Sequence, residues 1–381
     1  MLGFHVSSIR NCLPFILNIF ILVEYFIMPK RRSLTSNKGG SLVSSGSYGC
    51  VYSPPIPCDT EPSKKPQPTD ISKIFATSEE AQSEWQKSLV LKTIDPKQTY
   101  LLYPYIQCST SYSAIQANDA EGNSCPLLKD VTDQTARFSQ LVSLNGGQPL
   151  YDYLATRFEE GNPVSMRNYL SLLEQVAKCI YVMNSKGYCH HDIKPNNILV
   201  NDQGVARLID FGFMMQSRVI PTGENRFLKK NYWIHPPEYW VMNKKLEGNP
   251  ISNLEKHQYI VHRLNQYNSV FSDKDQTEIL QWYIKYWPSL CEMEQAYLKA
   301  MTGETLPMMS TPEYPLYVDV YSFGIMMMYL IQFVSESSSS DFIGSNVFAS
   351  YKNIVCGAMH PNLQKRYSIS KVLKLIRALN K

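Results

Sequence analysis

Apolar and polar positions change their rhythm partway along this chain. Between Ser41 and Ser53, the apolar residues Val43, Val51 and Tyr52 flank a Gly/Ser-rich turn, which predicts strand, glycine turn, strand. Pro54 to Thr69 holds six prolines among polar residues and reads as a long loop. Ile71–Phe75 predicts a short strand, and Ser78–Leu91 a helix with Ser78 as its N-cap and acidic residues in its first turn. Leu101–Ile106 and Phe138–Leu144 are further strand candidates, so the first 140 residues read mostly as sheet. Asn145-Gly146-Gly147 then marks a turn or hinge, after which helical spacing takes over. Leu170, Leu173, Ala177, Ile180 and Met183 form one apolar face of a helix ending near Gly187. Tyr239 to Val318 is rich in Tyr, Trp, Asn and Lys. Val320–Val334 predicts an apolar helix containing three consecutive methionines, and Ser370–Leu379 a basic amphipathic one. The fold class is α+β: a β-rich lobe over about 41–144, then a helical lobe over about 148–381.

Composition narrows this picture. With 381 residues and 44% hydrophobic content the chain can bury a sizeable core. A net charge of +4 with 18% charged residues gives no broad basic field, so nucleic acid is not an expected partner, and Lys30-Arg31-Arg32 is too short a run to alter that. Nine cysteines without any CxxC pair predict free thiols in a reducing compartment and no zinc site, with Cys50, Cys179 and Cys189 read as small hydrophobes. Residues 1–32 stand apart, because the apolar Leu13–Met28 runs directly into Pro29-Lys30-Arg31-Arg32. A signal anchor, with membrane association only if residues 12–28 are retained, and translation starting at Met28 both stay open. A cleaved signal peptide fits poorly, since the charge is on the wrong side.

The densest chemistry lies in His190-His191-Asp192-Ile193-Lys194-Pro195-Asn196-Asn197. Phosphoryl transfer needs a carboxylate to orient the attacking hydroxyl, a cation at the moving phosphate, and oxygen ligands for a magnesium ion. Asp192, Lys194 and Asn197 supply these three within a few residues. Further on, the apolar Leu208 and Ile209 lead into Asp210-Phe211-Gly212, which places a second carboxylate to coordinate magnesium.

Together these segments resemble the catalytic loop and the Asp-Phe-Gly motif of eukaryotic-type serine/threonine protein kinases, at the spacing which that family uses. The resemblance implies a two-lobed kinase-like fold spanning residues 33–381, with ATP and Mg2+ as cofactors and proteins as substrates. It assigns Ser44, Ser45, Gly46, Ser47, Tyr48, Gly49 and Val51 to a glycine-rich phosphate loop, with Ser44 where the family's first glycine would be. It puts the phosphate-anchoring lysine at Lys73, with Lys92 as a rival, and the lysine's partner at Glu84, with Glu80 as the alternative. Pro236-Pro237-Glu238 resembles the end of an activation segment, whose glutamate would pair with Arg366, and Asp319 resembles the aspartate that ties down the catalytic loop.

Two departures stand out. His191 replaces the arginine that commonly precedes the catalytic aspartate and is a weak partner for a phosphate, which argues against activation by loop phosphorylation. The long gap from Glu238 to Asp319 implies an insertion over about 239–318. The drifted motifs and the Asn/Tyr/Ile-rich composition resemble kinases of large cytoplasmic DNA viruses, which implies a cytoplasmic location, in a host cell or with the virion. A pseudokinase scaffold and a small-molecule phosphotransferase of related fold are the alternatives.

Overall fold

The computed structural model describes residues 41–46, 49–59, 65–118, 125–218, 234–236, 314–335, 340–360 and 363–381. The apolar N-terminal segment, Ser47, Tyr48, Glu238 and residues 239–313 of the expected insertion therefore lie outside the described residues.

Alternating side chains in the first part build an antiparallel sheet of five strands: β1 (Ser41–Gly46), β2 (Gly49–Ser53), β3 (Ile71–Phe75), β4 (Ile106–Ser111) and β5 (Arg137–Ser143). Their spatial order is β1-β2-β3-β5-β4, so β3 is central, with Lys73 opposite Val51 on one side and Leu141 on the other. The two-residue period of a strand puts Lys73 and Phe75 on one face and Ser72 and Ile74 on the other. The face bearing Ile74 buries Tyr52, Tyr112, Ile115 and Leu128. The face bearing Phe75 packs with Leu141 against Ala81 and Trp85 of α1 (Ser78–Ile94). That helix is capped by Thr77, whose hydroxyl accepts from the Glu80 amide at 3.3 Å, rather than by Ser78. It runs three residues beyond the expected end, stopping where Asp95 precedes Pro96.

The expected strand at Leu101–Ile106 is shifted. Only Leu101 makes an isolated bridge, to Leu208, and pairing with β5 begins at Ile106, after Pro104, which has no amide to donate. Strand β4 leads straight into α2 (Tyr112–Asn118). The free-thiol expectation is overturned for four cysteines: Cys50 is bonded to Cys125, and Cys58 to Cys108. These partners are 75 and 50 residues apart in sequence, so folding alone brings them together. Cys50 is thus a cross-link rather than a small hydrophobe, and Cys58–Cys108 staples the proline-rich loop to β4. Cys179 and Cys189 are free and buried.

The predicted turn at Asn145-Gly146-Gly147 carries the chain out of this sheet. Gly147 has φ +96°, and a Cβ there would run into the Val200 carbonyl. Next come β6 (Gln148–Pro149) and α3 (Leu150–Glu159), then α4 (Met166–Asn184), capped by the Ser165 hydroxyl at 3.4 Å from the Asn168 amide. Strand β7 (Tyr188–Cys189) precedes the motif-bearing loop, and β8 (Ile198–Val200) and β9 (Ala206–Leu208) form a hairpin paired with β6. β10 (Met215–Gln216) pairs back to β7. Helix α5 (Tyr314–Leu330) starts before the expected Val320, so Tyr314–Val318 belong to it and not to an insertion. It is apolar nearly all round, and together with the turn that follows it (Tyr314–Phe333) it is long and apolar enough to cross a membrane, yet it lies buried in the main core with α4, α7 (Asn346–Ala358) and α8 (Ile369–Leu379), α7 following the short α6 (Ser340–Ile343). The hydroxyls of Tyr169 and Tyr351 both donate to the Met327 carbonyl, at 3.1 and 2.5 Å, tying α4 and α7 to α5.

Candidate active site

The loop from His190 to Asn197 is held from below by α5. Asp319, fully buried there, accepts hydrogen bonds from the amides of His190 and His191, both at 2.8 Å, and from the Asn184 side chain at 3.2 Å. Burial raises its pKa above the ordinary carboxylate value, and these donors work against that rise. The clamp holds His191 at φ +63°, a left-handed conformation uncommon for a non-glycine residue.

His190 bridges two segments. Its Nδ1 accepts from the Asp192 amide at 3.2 Å, while Nε2 donates to the Ile209 carbonyl at 2.9 Å, which fixes the tautomer. The Ile209 amide in turn donates to the Asn197 carbonyl at 3.0 Å. Ile209 is thereby joined to residues 12 and 19 positions earlier in the chain, with Asp210 immediately after the junction.

Asp192 is 2% exposed. Its Oδ2 accepts from Lys194 Nζ at 2.9 Å and from Asn197 Nδ2 at 2.7 Å, and the same Asn197 nitrogen reaches the Asp192 carbonyl at 2.9 Å. Its Oδ1 accepts no hydrogen bond among the described residues. Asp210 also takes a left-handed conformation, φ +61°, and its Oδ1 accepts from the Gly212 amide at 3.3 Å, with the residue exposed. Phe211 turns inward with its ring edge-on to His190, 5.2 Å between centroids.

On the sheet side, Lys73 Nζ is 2.6 Å from Glu84 Oε2, the helix face of α1 meeting the middle of β3. Glu80, the alternative partner, makes no such contact, and Lys92 lies exposed in the last turn of α1 rather than on a strand. Ser44 and Ser45 are exposed on β1, Gly46 and Gly49 close the β1–β2 pair, and Val51 is half-buried on β2 opposite Lys73. Arg366 is buried, donates from Nε to the His360 carbonyl at 3.0 Å and lies over the Tyr321 ring.

Two residues that the sequence reading passed over belong to this region. Lys87, one helical turn after Glu84, donates to the Gly212 carbonyl. Burial lowers its pKa, Glu84 and Asp210 oppose that, and Lys73 adds to it. The spacing from Glu84 was the available signal, since residues three apart share a helix face. His235 is buried and its Nε2 donates to the His191 carbonyl at 2.8 Å, while the Ser322 hydroxyl holds the neighbouring Ile234 carbonyl at 2.8 Å. Burial, followed by the nearby His235 and His190, keeps the pKa of His191 well below the usual histidine value.

The donor chemistry fits a hard divalent cation. Asp210 offers an exposed carboxylate, and Asn197 uses its amide nitrogen on Asp192, leaving the amide oxygen as a ligand. Residues 128–248 match the protein kinase domain. The chain resembles eukaryotic-type serine/threonine protein kinases. Relatives include serine/threonine-protein kinase 16 of Rattus norvegicus and of Homo sapiens, each 33% identical over 75 residues, which is 20% of this chain and 25% of theirs. Serine/threonine-protein kinase PknA of Mycobacterium tuberculosis is 32% identical over 72 residues, 19% of this chain and 16% of its own. The chain therefore spans a quarter or less of these kinases' length. The kinase-domain match takes in both motif loops, whereas β1–β3 and α1, with the Lys73–Glu84 pair, lie before it.

Proposed function

We propose that this chain transfers the γ-phosphoryl group of ATP to serine or threonine hydroxyls of protein substrates. The observation that carries this reading is the junction of the two motif loops. The Ile209–Asn197 and His190–Ile209 hydrogen bonds bring Asp210 beside the Asp192–Lys194–Asn197 cluster. In this reading Asp192 Oδ1, which accepts nothing else among the described residues, receives the substrate hydroxyl's proton. Lys194 stands by to meet charge on the transferred group. Lys73, aligned by Glu84, holds the ATP phosphates beneath the turn at Ser44–Gly49 and Val51. Asn197 and Asp210 hold Mg2+, which when bound neutralises and aligns the phosphates.

The sheet and α1 support assigning 41–144 to a nucleotide-holding lobe and 148–381 to a helical, substrate-facing lobe. The insertion is drawn in to 239–313, because Tyr314 begins α5. Incubation with γ-labelled ATP, Mg2+ and a basic protein containing all three hydroxyl residues tests the reaction class. Acid-stable label on serine or threonine is the expected result. Nucleotide binding without transfer would make the chain a pseudokinase scaffold instead.

A further inference from the structure

Glu84 and Lys87 sit three apart on α1 and so face the same way, yet they reach different targets. Glu84 takes Lys73 of β3, and Lys87 crosses to the Gly212 carbonyl, 125 residues along the chain. Gly212 is itself the donor to Asp210 Oδ1 at 3.3 Å, so its peptide groups are held on both sides. Helix α1 packs directly against the Phe211–Phe213 turn, so Lys87 and Gly212 belong to neighbouring elements. A lysine that served only as a surface cation would extend into water; this one is half-buried and points at a backbone oxygen.

We propose that Lys87 is a positioning residue: it locks the Asp210–Gly212 turn to α1, so that the metal-binding carboxylate and the Lys73–Glu84 pair are set by one helix face. The proposal rests on the kinase reading for its consequence, which is that Mg2+ binding depends on Lys87. Its geometric part, the fixing of the turn, stands without that reading.

The experiment compares Lys87→Met and Lys87→Arg with the unaltered protein, each in an Asp192→Asn background so that nothing turns over. Mg2+-dependent binding of a fluorescent ATP analogue is the first readout. The Mg2+ concentration for half-saturation should rise about tenfold in Lys87→Met, the scale of one lost charge-assisted hydrogen bond, and return most of the way in Lys87→Arg. The thermal midpoint should barely move, which separates positioning from general destabilisation. Hydrogen exchange at the amides of Gly212 and Met214, measured without nucleotide, is the second readout. It should accelerate in Lys87→Met and stay slow in Lys87→Arg. Unchanged exchange in Lys87→Met overturns the proposal. If the unaltered protein binds no nucleotide, the kinase reading fails and the exchange result alone decides the role of Lys87.

Discussion

At the residue scale, the proposed chemistry rests on a few side chains held by backbone contacts. Replacing Lys73 with Met removes the cation that Glu84 aligns at 2.6 Å, and ATP affinity should fall by about tenfold or more while the thermal midpoint stays near its starting value. Binding titration of an ATP analogue checks this. His191 gives a pH prediction. Its folded pKa lies well below the ordinary 6.5, so the unfolded chain takes up the proton first. The stability gained by keeping it neutral is complete above about pH 6.5 and is lost as pH falls from there toward the folded value. Urea midpoints at pH 7.5 and 5.5 should show a larger acid loss for the unaltered protein than for His191→Gln. Asp319, whose raised pKa has the opposite sign, contributes equally to both proteins. Gly147→Ala should cost about 1–3 kcal/mol in the same assay, from its positive φ and the collision with Val200. Asp192, Lys194, Asn197 and Asp210 were legible in the sequence because they fall in two short contiguous runs with a fixed spacing. Lys87 and His235 were not, since each acts on a backbone carbonyl far along the chain; the spacing of Lys87 from Glu84 gives its helix face but not its target.

At the scale of elements, the periodic segments were read well and the cross-links were missed. Helix α4 and β3 follow directly from 3.6- and 2-residue spacing. The strand before α2 was displaced because an apolar run interrupted by Pro104 looks continuous to a pattern and is not so to a hydrogen-bond ladder. The two disulfides were invisible because spacing without a CxxC pair carries no pairing information, and only the packing of β2, β4 and the loops brings those sulfurs together. Alkylation of the unfolded protein without reductant should leave Cys50, Cys58, Cys108 and Cys125 unlabelled, as peptide mass mapping would read. Reducing both bridges should lower stability by about 2–4 kcal/mol for each, mostly through a freer unfolded chain. Labelling of all four cysteines would contradict the cross-linked sheet.

At the scale of the whole molecule, one buried helix and one sheet-covering helix frame the site. Helix α5 fixes the backbone of the His190–Asn197 loop through Asp319, and α1 fixes Lys73 and the Asp210 turn through Glu84 and Lys87. The α+β division was legible from the change of rhythm near Gly146, and the extent of α5 was not, because Tyr314–Val318 continue the aromatic-rich stretch that precedes them. The central claim is that Asp192 is the base for transfer from ATP. The most direct test is the single-turnover rate of γ-phosphoryl transfer in the unaltered protein and in Asp192→Asn, with nucleotide affinity measured alongside. A fall of about 10²–10⁴-fold in rate, with affinity changed by less than about threefold, is the predicted result. Equal rates in the two proteins would contradict the account.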